Sequence, residues 1–216
     1  MNRFLKEIIV MLLLFFGFNQ FLMSQEKYVT ISDIAGFKKK LLSASQNTKT
    51  IECDFVQEKN MSMLTKKVVS KGHFCCKKPG FIRWEYVDPY NYLIIINKKK
   101  VFVKDDGRKK QYDSQSNKMF KELGSMMFSF VQGDIAACEK DYKIDYFVNS
   151  TRYYVKMIPK TSKLLSVLAE VDLYFDKNDY SVAKVNMIEP GGDYTNLEFV
   201  NKKLNQEISN EKFSFK

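Results

Sequence analysis

The stretch KVVSKGHFCCKKPGFIRWEYV, residues 67–87, decides the fold that the sequence predicts. Apolar and polar residues alternate from Lys67 to Lys77 and again from Phe81 to Val87, which is typical of strands that bury one face. Between these segments, Pro79-Gly80 is a strong turn signal. The stretch therefore predicts two neighbouring antiparallel strands joined by a short turn.

The same alternation continues on both sides of this stretch. Residues 50–58 precede it and alternate in the same way. The strand-like segments that follow it are Tyr92 to Ile96, Val101 to Val103, a short piece around Gln111 and Tyr112, Tyr142 to Val148, Arg152 to Ile158, Leu164 to Phe175, Ser181 to Ile188, Tyr194 to Asn201 and Phe213 to Phe215. Strands spaced this closely indicate one curved antiparallel sheet in a single domain, not strands that alternate with helices.

Helical periodicity replaces the alternation in two segments. From Ser32 to Ser45, Phe37 and Leu41 recur on one side, and Ser32 is predicted to cap the start of the helix. The second segment runs from Asn117 to Gly133, and its apolar residues include Leu123, Met126, Met127 and Phe130. The predicted fold class is therefore mainly β with helices, an α+β arrangement.

Charge and composition exclude several classes of function. The 216-residue chain has 35 Lys and Arg against 25 Asp and Glu, a net charge of +10. The lysines are spread over predicted tips and turns, which favours a solvated surface over a nucleic-acid groove. His73 is the only histidine, and no nucleophile elbow, phosphate-binding loop or zinc-ligand spacing accompanies it. We therefore expect neither an enzyme nor a metal or cofactor site.

The N-terminus has the order of features found in secretory signals. Arg3 and Lys6 precede an apolar run from Ile8 to Phe16, and Ser24 ends a segment that resembles a cleavage site. That run is too short for a membrane-spanning helix, which needs about 20 apolar residues. The sequence predicts a signal peptide at residues 1–24 and an exported, soluble domain at residues 25–216, with an uncleaved membrane anchor as the alternative.

Four cysteines, Cys53, Cys75, Cys76 and Cys138, lie in the predicted exported domain. Export permits disulfides, and spacing does not discriminate among the possible pairings. Cys75 and Cys76 are adjacent in a predicted strand, so their side chains should point to opposite faces. Buried thiols are one interpretation, and a bridge from Cys53 to Cys75 across neighbouring strands is the other.

Aromatic residues make up 14% of the chain, which also has 10 methionines. Methionine adapts to irregular apolar ligands, so the Met- and Phe-rich residues 119–130 are candidates for lining an apolar site. Phe55, Trp84 and Tyr86 offer large apolar surfaces on strands. A packed core has the same pattern, because the faces of strands and helices pack alike with or without a ligand. Composition leaves both interpretations open.

Several short motifs are distinctive when taken together. They are CDFVQ at residues 53–57, GHF at 72–74, KKPGFIRWEY at 77–86 followed by Pro89, DYTNLEF at 193–199 and FSF at 213–215. With the opening helix, they resemble the periplasmic outer-membrane lipoprotein carriers of the LolA family. The resemblance covers most of residues 31–215, and KKPGFIRWEY is its most specific part.

The resemblance implies an incomplete, curved antiparallel β-barrel of about 11 strands, covered by the N-terminal helix and a mid-chain helical lid. In the family, a basic residue just before the proline of this motif fastens the lid to backbone carbonyls. Lys78 occupies that position here, and Arg83 is a second candidate for the latch. The residues expected to line the apolar site are Phe55, Phe74, Ile82, Trp84, Tyr86, Leu123, Met126, Met127 and Phe130.

The function implied by the resemblance is transport without chemistry. A soluble periplasmic carrier would cover the acyl chains of lipoproteins and move them from the inner to the outer membrane. Removing these chains from water is favourable by about 0.8 kcal/mol for each buried CH₂. The expected partners are these acyl chains, an inner-membrane lipoprotein-releasing transporter and an outer-membrane acceptor. The carrier itself is expected to be a monomer. Two alternatives use the same scaffold: a carrier of another lipid or apolar cargo, and a non-transporting envelope stress sensor or assembly module.

Overall fold

The structure is a computed structural model that describes residues 27–98, 100–113, 135 and 138–215. The predicted signal peptide and the predicted mid-chain helix, with Leu123, Met126, Met127 and Phe130, lie outside these residues. The described elements are β1 Val29–Thr30, α1 Ile34–Asn47, β2 Thr50–Asn60, β3 Val68–Lys77, β4 Phe81–Asp88, β5 Tyr92–Asn97, β6 Lys100–Asp105, β7 Arg108–Asp113, β8 Tyr142–Val148, β9 Arg152–Pro159, α2 Ser162–Leu165, β10 Glu170–Asp176, β11 Val182–Ile188, β12 Tyr194–Leu204 and a 3₁₀ helix Asn210–Phe213.

One antiparallel sheet of 12 strands contains every described strand. Its order is β1-β8-β9-β10-β11-β12-β2-β3-β4-β5-β6-β7, so β1 and β7 are the edges and the sheet is not closed. β2 and β12 join the two halves, with Asn60 opposite Tyr194 and Ile51 opposite Leu204. The predicted fold class is confirmed, with 12 strands in place of about 11. None of the helices in the described ranges is long and apolar enough to cross a membrane.

Local capping moves several element boundaries away from their predicted places. Asp33, not Ser32, caps α1, because its Oδ1 accepts a hydrogen bond from the Gly36 N–H at 2.8 Å. The segment predicted as one strand from Leu164 to Phe175 begins instead as α2, whose N-cap Thr161 accepts from the Leu164 N–H. The final predicted strand, residues 213–215, is also wrong, because Phe213 ends a 3₁₀ helix.

The main hydrophobic core lies on the face of the sheet that α1 covers, here called the inner face. Phe37 of α1 packs with ring centroids 6.0 Å from Tyr146, 4.6 Å from Tyr153 and 6.4 Å from Phe175. These three residues belong to β8, β9 and β10. The helix therefore covers the half of the sheet that follows the mid-chain segment.

The opposite, outer face carries a smaller cluster formed with the end of the chain. Phe213 and Ile208 are buried there with Cys75 and Ile95. The Lys77 ammonium donates to the carbonyl of Ile208 at 2.7 Å and holds this segment against β3. The chain terminus thus covers the outer face of β3–β6.

Gly72 on β3 leaves room for the Phe55 ring between β2 and β4. It lies opposite Phe55 in the register. A Cβ atom at this position would lie 1.9 Å from the Glu85 carbonyl oxygen and 2.6 Å from the Phe55 ring. Because carbon atoms pack at about 3.5–4.0 Å, only glycine lets the Phe55 ring lie across the strand.

Candidate functional site

A row of aromatic side chains crosses the inner face of β2, β3 and β4. Ring centroids lie 4.9 Å apart for Phe55 and Trp84, 5.1 Å for Phe55 and Tyr86, and 5.3 Å for Phe74 and Trp84. The Tyr86 hydroxyl donates to Gln57 Oε1 at 2.9 Å. The structure therefore brings together the predicted lining residues that it describes, which are Phe55, Phe74, Ile82, Trp84 and Tyr86.

The inner face has one region with little empty space and another region whose side chains are less buried. One cavity at the C-terminal end of α1 and another between β2, β3, β11 and β12 measure only about 10 Å³ each, close to the minimum for one water molecule. On the β4–β7 half, several large inner-face side chains are only partly buried: Trp84, Tyr86, Tyr92, Ile94 and Tyr112. Inner-face side chains of β8, β9 and β11 are partly buried as well: Tyr142, Ile144, Val148, Tyr153 and Met187. Within the described ranges, β4–β7 is the partly buried apolar surface that contains the predicted lining residues Trp84 and Tyr86.

Trp84 contributes a polar donor to this apolar surface. Its Nε1 atom is fully buried and approaches the Tyr86 hydroxyl without making a hydrogen bond of normal geometry. A buried donor without an acceptor costs about 1–3 kcal/mol. An acceptor oxygen of a ligand placed at Nε1 would remove that cost. Nearby, burial raises the pKa of Tyr86 to about 12, so its hydroxyl stays neutral.

Lys78 connects the end of β3 to the end of α1. Its ammonium donates to the carbonyl oxygen of Ser45 at 2.7 Å, and its backbone N–H donates to the Lys49 carbonyl. Partial burial lowers the pKa of Lys78. The contact with a helix carbonyl has the chemistry expected of the predicted latch, and the latch role itself stays a prediction.

Arg83 lies on the outer face, away from Lys78 and α1. Its Nε and Nη2 atoms donate to Glu85 Oε2 at 3.0 and 2.8 Å, and Nη1 donates to the Lys212 carbonyl. The alternation of β4 sends its side chain to the face opposite Trp84. The structure thus separates Lys78 from Arg83, and we no longer count Arg83 among the residues expected to fasten the lid.

A groove of about 990 Å³ lies on the outer face beside the chain terminus. His73 Nδ1 lies 2.7 Å from Asp54 Oδ1, and Lys212 pairs with Glu52 at 2.5 Å. The Asn201 amide and then His73 hold the pKa of Asp54 below its usual range. These charges are satisfied by one another, and no cluster of His, Cys, Asp and Glu within the described part of the chain is arranged to bind a metal ion. We therefore interpret the groove as structural.

The cysteines form no disulfide, and all of them lie in described positions. Cys76 belongs to the inner core and Cys75 to the outer cluster, which confirms that the adjacent thiols point to opposite faces. Cys53 also lies on the inner face, opposite Phe74, so it does not meet Cys75. Burial raises the pKa of Cys53 and Cys76 to about 12 and that of Cys75 to about 11. The buried-thiol interpretation therefore holds for these three.

Comparison with known proteins assigns the family. Residues 46–216 match the family model described as outer membrane lipoprotein carrier protein LolA. The chain belongs to the LolA family. The outer-membrane lipoprotein carrier protein of Methylococcus capsulatus is 24% identical over 177 residues, covering 82% of this chain and 81% of the relative. That of Pseudomonas paraeruginosa is 26% identical over 149 residues, covering 67% and 66%.

A solved structure shares this LolA-family fold. The complex of Pseudomonas aeruginosa MucA and MucB contains a chain that matches with a TM-score of 0.53 and 10% identity. The match covers 86% of this chain and 62% of that one. At such low identity the likeness shows the fold alone.

Proposed function

We propose that this protein is a soluble periplasmic carrier that shields the acyl chains of lipoproteins and moves them from the inner to the outer membrane. The observation that carries the proposal is the partly buried aromatic surface on β4–β7, in a chain of the LolA family. Acyl chains need such a surface to cross water, because each buried CH₂ is worth about 0.8 kcal/mol. The signal-like residues 1–24 support an exported location.

The geometry of Trp84 fits a cargo with a polar end. Its buried Nε1 donor makes no hydrogen bond of normal geometry to the described groups, although the Tyr86 hydroxyl lies close to it. The acyl chains of a lipoprotein carry ester or amide carbonyls, and such an oxygen would satisfy this donor once the site opens, while the hydrocarbon lies against Tyr86 and Tyr92. The expected partners remain a lipoprotein-releasing transporter of the inner membrane and an acceptor at the outer membrane.

Release requires that an element packed on the inner face can move. α1 covers β8–β10, beside the β4–β7 surface, and is fastened to β3 through the Lys78 ammonium and the Ser45 carbonyl. A single hydrogen bond of a charged donor contributes about 1.5–3 kcal/mol, which lies in the range that a ligand can shift between two states. In this proposal the sheet is the fixed wall, and movement of α1 opens the inner face from the neighbouring half.

A non-transporting regulator or assembly module is the second candidate. The filled interior, with cavities of about 10 Å³, favours it, because a protein that holds no cargo needs no space. The fold shared with a chain of the MucA and MucB complex shows that the scaffold occurs in a protein assembly.

Lipid extraction and mass spectrometry of the purified protein test the proposal. We expect bound acylated lipoprotein in the wild type and at least a fivefold loss in Trp84→Ser, because this substitution removes both apolar surface and the donor. Val200→Ser is the matched control, since Val200 is exposed on β12. Another bound lipid would support the alternative carrier, and the absence of any apolar cargo would favour the regulator.

A further inference from the structure

Two buried polar atoms without hydrogen bonds lie beside the aromatic row of the inner face. Ser70 on β3 is only 1% exposed, and its Oγ atom makes no hydrogen bond with any group in the described part of the chain. Trp84 Nε1 on β4 is the second such atom. Among the described side chains, the third is Asn186 Oδ1, which lies on the outer face of β11. Unpaired buried atoms of this kind are rare in folded proteins, so their concentration on the inner face needs an explanation.

Alternation and strand register place Ser70 next to Gln57. Ser70, Gly72 and Phe74 alternate along β3, and Phe74 belongs to the inner core. The Ser70 side chain therefore points to the inner face. Ser70 is directly opposite Gln57 on β2, and Gly72 is directly opposite Tyr86 on β4. Opposite side chains on one face have Cβ atoms about 4.5–5.5 Å apart, so the Ser70 hydroxyl lies beside the Gln57 amide.

Polar contacts continue from Gln57 to Trp84 and form a polar strip that consists of Gln57, Ser70, Trp84 and Tyr86. The Tyr86 hydroxyl donates to Gln57 Oε1 at 2.9 Å, and Trp84 Nε1 approaches the same hydroxyl. Because Gln57 accepts through its oxygen, its Nε2 group remains a hydrogen-bond donor. Gln57 is only partly buried, so the polar strip reaches the protein surface at this amide. The polar strip thus offers uncharged N–H and O–H donors within apolar surroundings.

We propose that the polar strip binds a carbonyl oxygen at the polar end of an acyl chain, and that the Ser70 hydroxyl is a donor that selects it. This inference rests on the proposed carrier function and adds the class of cargo to it. The cargo is an acyl chain joined through an ester or amide carbonyl, not a free hydrocarbon or an alkyl ether. A buried donor discriminates between them, because only the carbonyl replaces the hydrogen bond that the donor gave up on leaving water.

A purely structural role does not explain the Ser70 hydroxyl. A buried serine that supports a fold has a hydrogen-bond partner, and Ser70 has none within the described ranges. Alanine would fill the same position without burying an unpaired hydroxyl. Local features that lower stability in this way are typical of functional sites.

Urea denaturation of Ser70→Ala separates a binding role from a structural one. We expect the midpoint to equal or exceed that of the wild type, because no hydrogen bond is lost and a buried unpaired hydroxyl is removed. Ser43→Ala is the matched control, since Ser43 is exposed on α1. A lower midpoint for Ser70→Ala would show that the hydroxyl supports the fold, and it would overturn the assignment.

Fluorescence of Trp84, the only tryptophan in the chain, reports ligand binding at the polar strip. The purified full chain, stripped of lipid, is titrated with a synthetic lipopeptide that carries two ester-linked acyl chains. The second probe is the same peptide with two ether-linked alkyl chains of equal length, which lack the carbonyl oxygens. We expect the wild type to bind the ester probe about tenfold more tightly. Ser70→Ala should lose most of this preference by weakening ester binding alone, and Ser43→Ala should keep it.

The carbonyl site and the carrier function fail in different ways. Equal affinity of the wild type for the ester and ether probes would overturn the carbonyl site and leave the carrier function in place. An undiminished preference in Ser70→Ala would overturn the role of Ser70. A wild type that binds neither lipopeptide would contradict both proposals.

Discussion

At the scale of single residues, Asp172 shows how the outer face of the second half of the sheet is built. It is only 6% exposed, although the alternation of β10 sends it outward. Tyr154 donates its hydroxyl hydrogen to Asp172 Oδ1 at 2.8 Å and stacks on Tyr174 with centroids 4.9 Å apart. Burial is the main reason that the pKa of Asp172 is raised.

A substitution at Asp172 should change how stability depends on pH. Because the folded pKa is raised, the protonated carboxyl stabilises the fold, and this contribution is lost as pH rises through the folded pKa. Asp172→Asn stays neutral and still accepts from Tyr154. The variant should therefore equal the wild type near pH 3 and become more stable above the folded pKa. Urea denaturation across this pH range measures the difference.

Asp106→Asn is the control for the loss of one carboxylate, because Asp106 is exposed in the β6–β7 turn. Its free energy of unfolding at pH 7 should stay close to that of the wild type. If Asp172→Asn is the less stable protein at pH 7, the ionised carboxylate contributes favourably and the interpretation is wrong.

Residue-level prediction succeeded where alternation alone determines the side of the sheet. It placed Phe55, Trp84 and the two adjacent cysteines correctly. It could not predict the burial of Asp172, because Tyr154, which donates to it, lies on β9, and the register of β9 with β10 is set by the whole sheet. Arg83 is a second latch candidate from the sequence, although alternation already sends it to the outer face.

At the scale of elements, the junction of α1 with β3 depends on Lys78. Replacing Lys78 with Met should free the Ser45 carbonyl and destabilise the fold by about 1–2 kcal/mol, because a partly buried charged hydrogen bond is lost. Hydrogen exchange at residues 44–48 should accelerate, while exchange in the centre of the sheet should change little. Lys78→Arg keeps a donor at this place and is the conservative control. Unchanged exchange in Lys78→Met would show that Lys78 does not fasten the helix.

Element boundaries were less predictable than element types. The hairpin around Pro79-Gly80 and the helix that contains Phe37 follow directly from periodicity and turn residues. The short helix α2 was missed, because its apolar residues Leu164 and Leu165 continue into a β-like segment and only the cap at Thr161 distinguishes them. The 3₁₀ helix at Asn210–Phe213 was missed because FSF alternates like a strand.

At the scale of the whole molecule, the two faces of the sheet need separate covers. Phe213 is fully buried on the outer face, where its ring lies 5.3 Å from Phe81. Phe213→Ala should therefore destabilise the protein by about 3–5 kcal/mol, as expected for a fully buried Phe. Phe215→Ala should cost less, because Phe215 is only partly buried against Phe102. Equal denaturation midpoints for the two variants would contradict this.

The order of strands has a consequence for how the protein reaches its folded state. β2 is made early and pairs with β12, which is made almost last, so the centre of the sheet closes only after residues 194–204 are present. Contacts so distant along a chain slow folding, because the intervening loop must close first. A nascent chain would expose the free edge of β2 until then, and an unpaired strand edge can pair with other chains.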